Sequence, residues 1–200
     1  MSDKQFTLDV NDPTPAPSPY AWEGSMNHTS SPNAGEDAIN PPQQHKLQPR
    51  MTLRGRLDSL NAQIIFLQTL SQNPAYISDL EAIRSIVRQL QACEAGGKIL
   101  DGKFTLCGLD EDEIHTRSHN PAKYYGLGHI MPHHDMQREA ASINLLRTLV
   151  REAELSACQA FPDDTLRICH VLNRLSSALY ILTYKYLPAD YEHELTFTKA

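Results

Sequence analysis

Residues 135–161 read DMQREAASINLLRTLVREAELSACQAF, and the periodicity of this stretch decides the fold. Ile143, Leu146, Val150, Ala153 and Ala157 recur at steps of three and four, which aligns them on one side of a helix as an apolar stripe. Asn144, Arg147, Arg151 and Glu154 recur in the same way and form a polar stripe beside it. Two guanidinium groups one turn apart repel each other, so an isolated helix gains nothing from Arg147 and Arg151. Their spacing makes sense where an anionic or acidic group meets the stripe.

The same periodicity recurs on either side. A first helix is expected from about Thr52 to Ser71, with Leu53, Leu57, Leu60, Ile64, Leu67 and Leu70 on one face. A second is expected from about Ala75 to Glu94, with Ile77, Leu80, Ile83, Val87 and Leu90 inward. Asn73-Pro74 separates the two and Gly96-Gly97 stops the second. The connection KILDGKFTLCGL (98–109) alternates weakly, as a short extended segment or a loop. Asp110 and Glu113 stand in capping-box spacing and predict a short helix to about His119, ended by Asn120-Pro121. Residues 120–134, NPAKYYGLGHIMPHH, read as a loop before the long helix. Phe161-Pro162-Asp163-Asp164 is a tight link carrying the N-cap of a last helix, from about Thr165 to Leu187. That helix turns Leu166, Ile168, Cys169, Leu172, Leu175, Leu179 and Leu182 inward, and Pro188 ends it. Five helices with short links predict an all-α fold, a five-helix bundle over residues 50–188.

The ends differ in kind. Residues 1–49 contain DPTPAPSP, NPPQQ and most of the chain's 13 prolines, and offer too little apolar surface to offset the entropy of ordering. They predict a disordered proline-rich leader in which Tyr20 and Trp22 stand alone, and residues 189–200 predict a frayed C-terminal tail.

Net charge is −6, and the arginines are scattered, so no basic face of the kind nucleic acid requires is visible. No apolar run reaches the ~18 residues that span a bilayer. The N-terminus lacks a basic region followed by an apolar one. The expectation is a cytoplasmic protein that meets neither membrane nor nucleic acid. Cys93, Cys107, Cys158 and Cys169 form no CxxC pair and are expected to be reduced and structural.

Common catalytic signatures are absent: GxxxxGK[ST], GxGxxG, GxSxG and HExxH do not occur. Gly126 and Gly128 in YGLGHI lack the strand and helix of a phosphate loop. His129, His133 and His134 cluster with Asp135, and His115 and His119 are one helical turn apart, spacings at which neutral imidazoles bind transition metals. With no cysteine or second carboxylate in register, they read as a polar loop and a solvated helix face, and no metal site is assigned. Two clusters remain: Asn144, Arg147, Arg151 and Glu154 on the long helix, and Asn173 to Ser177 with Tyr180 on the last one. Antiparallel packing brings them toward each other, and Asp58 on the first helix is the natural acid partner for an arginine. As surface ion pairs these contribute ~0–1 kcal/mol each. As a cationic edge they fit polyphosphate, whose oxygens match the planar guanidinium fork.

The order GLDEDEIH (108–115), SHNP (118–121), LLRTLVREAE (145–154) and LNRLSS (172–177) resembles the corrinoid adenosyltransferases of the ethanolamine-utilisation type. LDSLNA (57–62) is similar to a first-helix motif of the wider ATP:cob(I)alamin adenosyltransferase superfamily, and the resemblance covers roughly residues 50–187. It implies an ATP-binding transferase that moves the 5′-deoxyadenosyl group of ATP to the cobalt of reduced cobalamin and releases triphosphate, with Mg²⁺. It further implies a homo-oligomer, usually a trimer. By the same resemblance Arg151 is the catalytic contact to the triphosphate, and Arg147, Glu154 and Asn173 join it in binding ATP. Arg147 is also expected to meet Asp58 across a subunit interface. Three departures stand out. The superfamily's glycine- and threonine-rich phosphate loop is replaced by the proline-rich leader. The ethanolamine-type CCxxC metal cluster has no counterpart. Glu152 and Leu155 occupy positions where arginines are common. These departures frame the alternative, a non-catalytic helical bundle that binds a corrinoid or a protein partner.

Overall fold

Two long helices, α1 (Pro41–Leu70) and α2 (Pro74–Gly96), open the computed structural model and are joined at Ser71–Asn73. Residues 41–96, 100, 105–106 and 108–193 are described, with side chains from Gln48 onward. The expected leader up to residue 40, including Tyr20 and Trp22, lies outside the described residues, as do Cys107 and residues 194–200. Next come α3 (Glu111–His119), the one-turn α4 (Pro121–Tyr125), a 3₁₀ turn at His134–Met136, α5 (Gln137–Ala160) and α6 (Ile168–Tyr186). The fold is all-α. The extended pairing named among the described residues is a tight turn in which Leu106 and Leu109 exchange hydrogen bonds of 3.0 Å.

α5 is the central element, packed against α1 on one side and α6 on the other. α2 covers α1, and α3 lies across α6. The apolar stripe of α5 is fully buried at Ile143, Leu146, Val150, Ala153 and Ala157. It meets Leu53, Leu57, Leu60 and Ile64 of α1 and Leu172, Leu175 and Leu179 of α6 in one core. Each such side chain contributes about 1.5–3 kcal/mol on leaving water. Polar ties reinforce the packing. Asp79 of α2 accepts from Lys185 Nζ at 2.7 Å and from Tyr186 Oη at 2.6 Å. Glu94 is 1% exposed and takes Arg50 at 2.9 Å and Arg54 through its other oxygen.

Several boundaries depart from the sequence reading. α1 starts at Pro41 rather than near Thr52 and runs through Pro49. Pro41 and Pro42 stand in the first turn, where the missing N–H groups have no acceptor, whereas Pro49 lies inside the helix and removes one of its backbone hydrogen bonds. Leu70 is 48% exposed, because the stripe of α1 runs past the end of the core. The expected loop 120–134 holds α4, which Pro121 opens and Gly126 closes at φ 74°, a left-handed conformation that suits glycine. α6 begins at Ile168, not Thr165, because Arg167 takes φ 57° and breaks the helical path. Asp164 still caps it, accepting from the N–H groups of Cys169 at 2.8 Å and His170 at 2.9 Å. The capping box of α3 forms as expected, with Asp110 and Glu113 satisfying each other's backbone donors.

One expectation is corrected. Cys158 and Cys169 form a disulfide instead of remaining reduced. The link between α5 and α6 folds back so tightly that their Cα atoms stand 5.7 Å apart, within bridging range. Cys93 is buried, its Sγ donates to the Leu166 carbonyl at 3.7 Å, and burial pushes its thiol pKa up.

Candidate functional site

Arg147, Arg151 and Glu154 occupy successive turns on the polar stripe of α5, and the register of the buried stripe fixes which way they project. Facing them on α6 are Asn173, Ser176, Ser177 and Tyr180, set by the burial of Leu172, Leu175 and Leu179. Between the helices lies a groove of about 450 Å³ lined by Arg147, Arg151, Ser176, Ser177 and Tyr180, with Ser118, His129 and Ile130 at its rim.

The charged groups form a connected chain. Arg151 Nη1 stands 3.4 Å from Glu154 Oε2. Glu154 Oε1 accepts from Asn173 Nδ2 at 2.9 Å. Asn173 Oδ1 accepts from Arg174 Nη2 at 3.0 Å, and Arg174 Nη1 reaches His115 Nδ1 of α3 at 2.7 Å. Glu154 Oε2 is buried and has no hydrogen-bond donor among the described residues, so that oxygen keeps unused accepting capacity beside Arg151. Arg151 itself is 54% exposed, so most of its fork is open to a ligand. Arg147 is held differently: its Nε donates to Asn144 Oδ1 at 3.2 Å and its guanidinium lies 5.8 Å from the centre of the Tyr180 ring. That contact fixes a positive charge at the groove, with no carboxylate paired to it among the described residues.

A second hollow, of about 380 Å³, lies one turn along α6. Leu106, Leu109, Ala178, Ile181 and Leu182 give it an apolar floor, with Tyr125, Tyr184 and the cationic Arg117 and Lys185 completing the lining. Tyr180 of the first hollow and Tyr184 of the second share a 2.8 Å hydrogen bond between hydroxyls. Tyr184 Oη also donates to the Gly128 carbonyl at 2.6 Å, and Tyr125 stacks on Tyr184 at 4.9 Å. Burial pushes the Tyr125 hydroxyl pKa up. The arginine groove of α5 and this second hollow thus stand side by side, with Tyr180 and Tyr184 between them.

The structure therefore brings together four of the expected site residues: Arg147, Arg151, Glu154 and Asn173. Asp58 is not among them within one chain; it accepts from Gln91 Nε2 of α2 at 2.8 Å. Glu152, on the side of α5 toward α1, pairs with Arg56 at 2.6 Å. His129 leaves the expected histidine cluster and bonds Tyr180 Oη at 2.9 Å. Sequence reading assigned no role to Tyr184 or to the Arg174–His115 bridge, whose partners are 59 residues apart and follow no periodic pattern.

Comparison with known proteins matches the sequence to a family. The family model described as cobalamin adenosyltransferase matches residues 34–186. A corrinoid adenosyltransferase EutT of Salmonella typhimurium is 38% identical over 142 residues, 68% of this chain and 52% of the relative. The EutT of Escherichia coli K12 is 37% identical over 144 residues, with the same two shares of 68% and 52%. The chain spans about half the length of the curated relatives it matches.

Proposed function

As the chain belongs to the cobalamin adenosyltransferase family, we propose that it transfers the 5′-deoxyadenosyl group of ATP to the cobalt of a reduced corrinoid. The observation that carries this reading is the pair Arg147 and Arg151, held one turn apart over a groove beside a hollow with an apolar floor. In the reaction, the electron pair of Co(I) forms a bond to the ribose 5′ carbon. The bond from that carbon to the triphosphate oxygen breaks, and its electron pair leaves with triphosphate. Negative charge grows on the leaving group, so cationic donors already in place lower the barrier.

Each residue has a distinct part. Arg151, with its fork open to solvent, contacts the triphosphate. Glu154 orients Arg151, and Asn173 orients Glu154 from the nucleotide side. Arg147 adds a second fixed charge over Tyr180 and meets Asp58 of another copy, in a homo-oligomer for which a trimer is the expected form. Mg²⁺ would enter with ATP, bound mainly to phosphate and water. The second hollow takes the corrinoid. Among the described residues no helix is long and apolar enough to cross a membrane, and the reading includes a cytoplasmic location, where ATP is at hand.

The test uses the full chain with ATP, Mg²⁺ and chemically reduced cobalamin under strict anaerobiosis. The expected product is a light-sensitive alkyl-cobalt species formed with one triphosphate per turnover. Folded protein that forms none overturns the reading. In that case calorimetry with ATP and with corrinoid separates a corrinoid-binding bundle, which takes up corrinoid without ATP, from a scaffold that binds neither.

A further inference from the structure

His133, Asp135 and His193 converge from two segments that no sequence pattern links. His133 Nδ1 lies 3.1 Å from Asp135 Oδ2, and His193 Nε2 lies 3.1 Å from the same oxygen. The rings of His133 and His193 are 4.0 Å apart, and one ligand atom from each of the three residues falls within 4.8 Å of the others. His134 approaches Asp135 Oδ1 at 3.0 Å, so one carboxylate gathers three imidazoles. The ion pairs of Asp135 among the described residues are all with histidine.

We propose that His133, Asp135 and His193 form a binding site for a divalent transition metal of the Zn²⁺ type. Two imidazole nitrogens and one carboxylate oxygen are a borderline donor set, suited to Zn²⁺ and its neighbours rather than to Mg²⁺ or Ca²⁺, which take oxygen. Bonds of about 2.0–2.2 Å in a tetrahedral array put donor atoms roughly 3.3 Å apart. The two pairs that share Asp135 already have that separation, and rotation of the half-exposed imidazoles closes the third. Adjoining the cluster is a polar hollow of about 530 Å³ lined by His134, Asp135, Asp190, Tyr191 and Glu192 among others. It gives an ion a path in and leaves room for water as the remaining ligand.

The backbone around the site is set without the metal. Met131 N–H donates to the His193 carbonyl at 2.9 Å, and Tyr191 Oη bonds the Met131 carbonyl. Tyr191 is buried in a small apolar cluster with Ile130, Met136 and Ala140. These contacts hold the segment Asp190–His193 against the loop Ile130–Asp135 before any ion arrives, so binding reorients side chains and frees His133 Nδ1 from the long 3.4 Å bond it accepts from the Asp135 N–H. Ile130 and its neighbour His129 line the arginine groove, so a metal here would stiffen one wall of that groove.

The test needs no turnover and does not depend on the proposed activity. Full-length, tag-free protein is stripped with a chelator, and Zn²⁺ is titrated against a chromophoric competitor. One equivalent is expected to bind, with a rise in melting temperature. His193→Ala and Asp135→Asn should each weaken binding about ten-fold or more and abolish that rise. His119→Ala, which removes the other close histidine pair, should change nothing. Circular dichroism of each stripped variant checks that helix content is kept. Imidazole ¹⁵N shifts report the ligands directly: Zn²⁺ should move the signals of His133 and His193 and leave that of His115. No saturable binding, binding unchanged in His193→Ala, or binding lost in His119→Ala overturns the proposal.

Discussion

Asn173 Nδ2 donates to Glu154 Oε1 at 2.9 Å, and this bond between α6 and α5 sets the direction in which the Glu154 carboxylate faces. Glu154 has 14% of its side chain exposed, and among the described residues its other oxygen has the Arg151 ion pair at 3.4 Å but no hydrogen-bond donor, so Asn173 supplies the hydrogen bond that orients the carboxylate. Asn173→Ala is expected to cost about 1–3 kcal/mol in urea unfolding, the penalty for a buried acceptor left unmade. A loss well below that range would mean that Glu154 turns outward and meets water instead.

Arg151 and Arg147 should respond differently to truncation. Arg151→Ala is expected to lower turnover of ATP and reduced cobalamin by about 10²–10³-fold, as when one fixed donor to a developing anion is removed, with helix content unchanged. Arg147→Ala should in addition shift the sedimentation of the protein toward the single chain, because Arg147 is assigned to Asp58 of another copy. Equal turnover in Arg151→Ala and the native protein removes Arg151 from the mechanism.

Glu94 gives an asymmetric prediction. It is 1% exposed, whereas Arg50 and Arg54 are 39% and 40% exposed. Removing both arginines strands a buried carboxylate, and the expected cost is about 3–5 kcal/mol. Glu94→Gln lets the arginines turn to solvent and should cost distinctly less. Thermal unfolding of the two variants side by side decides the order.

A pH effect is expected at Glu81. Hydrogen bonds from Arg84 first, and then Gln68, hold its carboxyl down at about 2. An unfolded glutamate titrates near ~4.3. Because the folded value is the lower one, the ionised form favours the fold above ~4.3, and that contribution fades as pH falls from there to about 2. Glu81 is 49% exposed, so solvent screening keeps the effect below about 1 kcal/mol. The stability difference between native protein and Glu81→Gln should be constant near neutrality and close as pH falls through that window. A difference that grows on acidification contradicts the assignment.

What could be read from the sequence was local or periodic. The capping box of α3 needs two residues three apart, and the burial of α5 needs one stripe, so both were legible. The groove arginines were legible because they share that stripe. Other features depend on how separate elements meet. His193 reaches Asp135 across 58 residues of chain, from a segment whose sequence predicts a frayed tail. The Cys158–Cys169 bond depends on the angle at which the α5–α6 link turns, which Arg167 and Asp164 set through positive φ values. Proline misled the reading of α1, where Pro41, Pro42 and Pro49 looked like breakers yet lie in the helix. Asp58 could be named but not placed, since its expected partner belongs to another copy.

The link Phe161–Arg167 has a consequence for the order in which the protein acquires its parts. Loops this short lose little entropy on closing, and contacts near in sequence form early. Arg147, Arg151, Glu154, Asn173, Ser177 and Tyr180 all sit on the two helices that this link joins. The arginine and tyrosine walls of the groove thus come together when one helical hairpin zips, before α1 and α2 need to arrive. Pulse-labelled hydrogen exchange during refolding should show the amides of α5 and α6 protected first, with those of α2 following.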